Sequence, residues 1–126
     1  MSLELLVADE DDDAPDVLAL RLRNRGMDDL RVYHAETSSE AGDKLDERDK
    51  GFFDGIIVRL LNGEGRRLLE SLEDKGCCRE DCYIAWAVPN PEEPGYECVD
   101  DIFQRSMAGS QDSYGRIVEG IRSYRD

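Results

Sequence analysis

Five consecutive acids, Asp9-Glu10-Asp11-Asp12-Asp13, follow directly on the apolar run from Leu3 to Ala8. Carboxylates at the end of a buried strand supply hard oxygen ligands, and two of them with waters could hold a cation such as Mg²⁺. Acids ahead of a helix also gain from its dipole and cap its N–H groups. Capping accounts for Asp12 and Asp13, so Asp9 and Glu10, nearest the strand, are the candidates for chemistry. Arg59 is the single charge inside a second apolar run, Gly55 to Leu61. The thiols of Cys77, Cys78, Cys82 and Cys98 show neither C-x-x-C nor a partnering histidine spacing, since His34 is distant. They read as free thiols and not as a zinc site or a staple.

These residues need a scaffold, and hydrophobic periodicity supplies one. Leu3 to Ala8, Gly55 to Leu61 and Tyr83 to Val88 are short apolar runs suited to strands buried on both faces of a parallel sheet. Leu30 to Ala35 alternates, with Leu30, Val32 and His34 on one side and Arg31 and Tyr33 on the other, as an edge strand does. Ile102 and Phe103 centre a shorter fifth strand. Helical patterns lie between. Ala14, Val17, Leu18 and Leu22 share a face after an Asp12 or Asp13 cap, with Pro15 in the first turn and Gly26 as the stop. Thr37 and Glu40 have capping-box spacing ahead of Ala41 and Leu45. Leu68, Leu69 and Leu72 make the next stripe, and Tyr114, Ile117, Val118, Ile121 and Tyr124 the last. Pro89-Asn90-Pro91 and Pro94-Gly95 leave room for at most a short helix between the fourth and fifth strands.

Right-handed crossovers fold this string into an α/β three-layer sandwich, with a five-stranded parallel sheet in the flavodoxin-like order 2-1-3-4-5 and a shortened fourth helix. Ligands of such folds bind where the carboxyl ends of the first and third strands splay apart. The chain of 126 residues reads as one domain, 1–126. Its 30 acids against 16 Lys and Arg give a net charge of -14, which repels phosphate backbones and anionic lipid. Neither a membrane span nor a signal peptide is visible, so a cytoplasmic protein is expected. Thirteen Arg against three Lys, with dispersed acids, suits either a halophile, where salt screens self-repulsion, or an ordinary acidic protein from an Arg-rich genome.

Three segments together resemble the receiver (CheY-like) domains of two-component response regulators. Leu5-Leu6-Val7-Ala8-Asp9-Glu10 looks like their first strand ending in two Mg²⁺-binding acids. Asp54-Gly55-Ile56-Ile57-Val58 looks like their third strand, and Asp100-Asp101-Ile102-Phe103-Gln104-Arg105-Ser106 resembles their fifth. The likeness spans essentially the whole chain. It implies that the phosphoacceptor position falls on Arg59, the hydroxyl position on Ala87 and the lysine position on Arg105. Ser106 replaces the usual proline, Ile102 stands where an aromatic switch residue is common, and Asn62-Gly63-Glu64-Gly65 is a shortened loop. A guanidinium cannot accept a phosphoryl group. Only Asp9 and Glu10 persist from the phosphorylation machinery.

The expectation is therefore a degenerate receiver, no enzyme, that acts through protein contacts in phosphorelay signalling. Arg59 would neutralise Asp9 and Glu10 from within and disfavour Mg²⁺, so no cofactor is expected; the alternative is that it snorkels to the surface without a set partner. The face built from the fourth helix, fifth strand and fifth helix, with Tyr96, Gln104 and Arg105 as candidate contacts, would meet a protein partner or a second copy. Two alternatives stand beside it. One keeps phosphorylation on a displaced carboxylate, Glu64 or Asp54, with Mg²⁺. The other is a flavodoxin-like small-molecule binder, which five acids at the phosphate-binding end oppose.

Overall fold

A computed structural model describes residues 3–47, 53–60, 64–75, 82–88, 99, 101–104 and 111–125. The chain runs β1 (Leu3–Asp9), α1 (Ala14–Arg23), β2 (Leu30–Ala35), α2 (Ser38–Asp46), β3 (Gly55–Arg59), α3 (Glu64–Lys75), β4 (Tyr83–Val88), β5 (Asp101–Gln104) and α4 (Gln111–Arg125). All strand pairs are parallel, and the sheet order is β2-β1-β3-β4-β5. Strand alternation divides the core in two. Leu5, Val7, Ile57, Tyr83 and Ala85 pack with Leu18, Leu22, Ile117, Val118 and Ile121, so α1 and α4 cover one face. Leu6, Ala8, Ile56, Val58, Ile84 and Trp86 pack with Ala41, Leu68, Leu69 and Leu72, so α2 and α3 cover the other. The apolar runs of β1, β3 and β4 are thus explained by burial on both sides. β2 borders a single strand and keeps Val32, Tyr33 and His34 only partly covered.

Local signals fix the helix ends. Thr37 caps α2 by accepting from the Glu40 N–H at 3.1 Å, and Glu40 reaches back to the Glu36 N–H at 2.7 Å, one residue earlier than in the usual capping box. Beyond α1, Gly26 at φ 102° lets its own N–H bond the Arg23 carbonyl and the Met27 N–H bond that of Leu22. That Schellman closure needs the left-handed conformation that glycine takes without strain. The buried face of α1 differs from the expected one. Pro15, Leu18, Ala19 and Leu22 form it at i, i+3, i+4 and i+7, and Val17 is 47% exposed. Val17 lies about 100° around the helix from Leu18, and small Ala19 fills the position nearer the sheet. The expected short helix before β5 falls outside the described residues.

Candidate functional site

The acid run is built as two linked turns. Asp9 Oδ1 accepts from the Asp11 N–H at 3.0 Å, and Asp11 Oδ1 accepts from the Asp13 N–H at 2.9 Å. Each is an Asx turn, in which a short carboxylate satisfies a main-chain donor two residues on. Asp13 takes the cap position of α1 without a side-chain cap bond. Asp9 is 1% exposed, whereas Glu10 is exposed at the rim. The acids therefore differ in kind, and Asp9 is the one inside the protein.

Its counter-charge comes from the neighbouring strand. Asp9 and Arg59 are register partners, and Arg59 Nη1 stands 3.2 Å from Asp9 Oδ2. The contact is an ion pair and not an aligned hydrogen bond. The Arg59 side chain is 30% exposed and that of Asp9 only 2%, so the acid is sealed and the base closes the opening over it. Ala87 is buried in β4 and shares the sheet face of Asp9 and Arg59, set by the alternation with Ala85, Val7 and Ile57. The structure thus brings together Asp9, Arg59 and the strand that carries Ala87. Of the expected contact face, Tyr96 and Arg105 lie outside the described residues, and for Gln104 only the backbone in β5 is described.

This geometry fits Mg²⁺ poorly. One Asp9 oxygen serves a main-chain N–H and the other faces a guanidinium, so neither is presented to a hydrated cation that demands octahedral oxygen ligands.

The two displaced carboxylates also have defined partners. Glu64, the first residue of α3, accepts from both the backbone N–H and the hydroxyl of Ser38, the first residue of α2. The Ser38 hydroxyl foremost, then its N–H, holds the Glu64 carboxyl below the usual range. Asp54 lies at the opposite end of the sheet, where its Oδ2 accepts from the Glu4 N–H at 2.8 Å and its N–H donates to the Glu4 carbonyl at 2.7 Å.

A cluster absent from the sequence-based expectation adjoins the site. Asp12, His34 and Glu36 each place a donor atom within 4.8 Å of the others, and His34 Nε2 bonds the Asp9 carbonyl at 2.8 Å. The Glu36 carboxyl is pushed up, first by its hydrogen bond with Asp12 and then by that acid's charge, against an opposing pull from His34. The available signal was parity: His34 shares the face of Leu30 and Val32, and β2 lies beside the strand that ends at Asp9.

No family model matches the chain, and no curated protein matches it significantly. Solved structures do. A CheY-like response regulator receiver domain protein from Methanospirillum hungatei superposes with a TM-score of 0.71 at 13% identity, over 97% of this chain and 96% of that one. The response regulator TrrA from Thermotoga maritima, solved with Mg²⁺ and beryllofluoride, gives 0.68 at 17% identity, over 94% and 98%. CheY4 of Vibrio cholerae, a chemotaxis response regulator, gives 0.70 at 12% identity, over 96% and 99%. At such identities the likeness speaks to architecture, and the architecture is the CheY-like α/β fold of response-regulator receiver domains.

Proposed function

We propose that the chain is a receiver-type signalling module that works without phosphorylation and acts through protein contacts. The observation that carries this reading is Arg59 Nη1 at 3.2 Å from the buried Asp9 Oδ2. In the receiver resemblance, position 59 is the acceptor and Asp9 helps hold the metal. Here one side chain removes the acceptor and supplies the positive charge that the metal would have brought. At about 4 Å and an effective dielectric near 20, two unit charges attract by roughly 4 kcal/mol before desolvation is subtracted. Mg²⁺ would have to displace that attraction and would meet a fixed cation on approach. Ala87 offers no hydroxyl to a phosphoryl group, which supports the same reading.

Phosphorylation on a displaced carboxylate has less support. Glu64 is committed to the head of α2 through Ser38, and Asp54 clasps β1 at the far end of the sheet. The acid excess further suggests a cell with high internal salt, in which case KCl raises thermal stability far more than an equal concentration of sucrose does.

The test is exposure to Mg²⁺ with acetyl phosphate, and separately with beryllofluoride. The expected results are no gain of one phosphoryl group in intact mass and no saturable Trp86 fluorescence change at low millimolar Mg²⁺. Trp86 is buried in β4 one residue before Ala87, with the Arg66 guanidinium 5.9 Å from its ring centroid, so it reports on the carboxyl edge of the sheet. A phosphoryl adduct on any carboxylate overturns the proposal. Arg59→Asp provides the converse, and it should gain a saturable Mg²⁺ response.

A further inference from the structure

The cluster beside the Asp9 pocket has the composition of a metal site of another kind. Asp12 lies in the turn before α1, His34 near the end of β2, and Glu36 just beyond it. The register that sets β2 against β1 brings the end of β2 and the turn before α1 to one corner of the sheet's carboxyl edge. A donor atom of each lies within 4.8 Å of the other two.

The surroundings prepare the imidazole. A carbonyl can only accept, so His34 Nε2 carries the proton in its 2.8 Å bond to Asp9, and in the neutral ring Nδ1 keeps its lone pair. An outer hydrogen bond of this sort, to a backbone carbonyl, orients and tunes most metal-bound histidines. The Glu36 main chain is held in turn, because its N–H donates to Glu40 at 2.7 Å. Both carboxylates are exposed and His34 is half-buried, which leaves outer positions open to water.

We propose that Asp12, His34 and Glu36 form a three-ligand site for a borderline divalent cation of the zinc class, one strand removed from the pocket that Arg59 occupies. Imidazole nitrogen and carboxylate oxygen are both zinc ligands, and water can complete a tetrahedron over three of them, whereas Mg²⁺ favours oxygen alone. Bonds of about 2.0 Å put tetrahedral ligand atoms roughly 3.3 Å apart, so the donors must draw in by up to about 1.5 Å per pair. Exposed carboxylates do this by side-chain rotation. The bound charge would sit on the other side of the Asp9 main chain from Arg59, and it would tie α1 to the end of β2. The proposal does not depend on whether the Asp9 pocket accepts phosphate.

Calorimetric titration of chelator-treated, reduced protein with Zn²⁺, repeated with Co²⁺ for its visible spectrum and with Mg²⁺, tests the site. The expected result is one Zn²⁺ per chain with a micromolar Kd, a tetrahedral Co²⁺ spectrum without thiolate charge-transfer bands, and no comparable Mg²⁺ binding. His34→Gln keeps an amide donor for the Asp9 carbonyl but removes the ring ligand, and should weaken Zn²⁺ at least about tenfold with little change in Tm. Asp12→Asn, at an exposed position, should weaken it similarly and guards against a folding defect in the first variant. Unchanged affinity in both variants, a thiolate spectrum, or a Zn²⁺ Kd weaker than about 1 mM overturns the proposal.

Discussion

The seam between β1 and β3 is closed at each end by an aspartate, and the two closures work differently. At the amino end Asp54 reaches from β3 to a main-chain N–H of β1. At the carboxyl end Asp9 reaches from β1 to the side-chain cation of β3. The first matches an acid to a donor that every non-proline residue carries, so its geometry follows from the backbone once the register is set. The second matches a buried charge to one particular side chain, and nothing in the backbone replaces Arg59. An end of the sheet closed by main chain can be held by packing alone, whereas an end closed by opposite charges depends on both side chains being present.

Packing at the amino end is tight enough for one methyl group to break it. A Cβ on Gly120 of α4 would lie 2.1 Å from Cε1 of Tyr83, which is 1% exposed and whose N–H bonds the Asp54 carbonyl at 3.0 Å. Neither the ring nor the helix can withdraw without opening the α4 face of the core. Gly120→Ala should therefore cost about 3 kcal/mol, the upper end of typical overpacking, and lower Tm by roughly 10 °C or more. A second change, Tyr83→Leu, should recover part of the loss in the double variant. Differential scanning calorimetry of the two single variants and the double decides it, and additive losses would refute the contact.

The carboxyl end should respond to loss of charge and not to loss of volume. Arg59→Met retains most of the apolar stem while leaving Asp9, 1% exposed, without that cation. Breaking a fully buried pair costs roughly 3–5 kcal/mol. Because the Arg59 side chain is 30% exposed, water can reach part of the site and about 2 kcal/mol is expected. Arg59→Lys should recover much of it. Urea unfolding of the three proteins provides the comparison, and an unperturbed Met variant would show that the pair carries little. Asp54→Ala at the amino end should cost about 1 kcal/mol, the value of one partly buried hydrogen bond, in the same experiment.

How much of this was legible beforehand follows the same division. Elements whose positions are set by burial could be read from apolar runs, and the placing of Asp9 and Arg59 followed from the strands that carry them. Thr37 and Glu40 announced the start of α2 because a cap is a local device with fixed spacing. Val17 misled because one helix turn offers two overlapping apolar stripes, and the choice between them is made by the sheet. The Ser38 contact to Glu64 and the grouping of Asp12, His34 and Glu36 join distant stretches of chain, so neither has a local pattern. They exist because parallel strands bring every following loop to one end.

The smallest expected effects separate two carboxylates near the start of α2. Glu64 is lowered chiefly by the Ser38 hydroxyl, so the folded state binds fewer protons than the unfolded one just below the ordinary glutamate range. The stability it contributes is complete above that range and is lost as pH falls through its folded value. Glu36 is raised chiefly by Asp12, so the folded state binds more protons just above that range. Stability from this source is present at acid pH and disappears as pH rises through the raised value. Ser38→Ala should then lower stability at neutral pH, with the deficit shrinking on acidification. Asp12→Asn, measured with chelator present, should raise stability slightly at neutral pH, with the gain shrinking on acidification. Thermal unfolding between about pH 3.5 and pH 7.5 gives two difference curves that bracket the ordinary glutamate pKa near 4.3. Curves of the same sign would mean that the acids around α2 act through net charge alone, and that the carboxyl end has no more local design than the rest of an acidic surface.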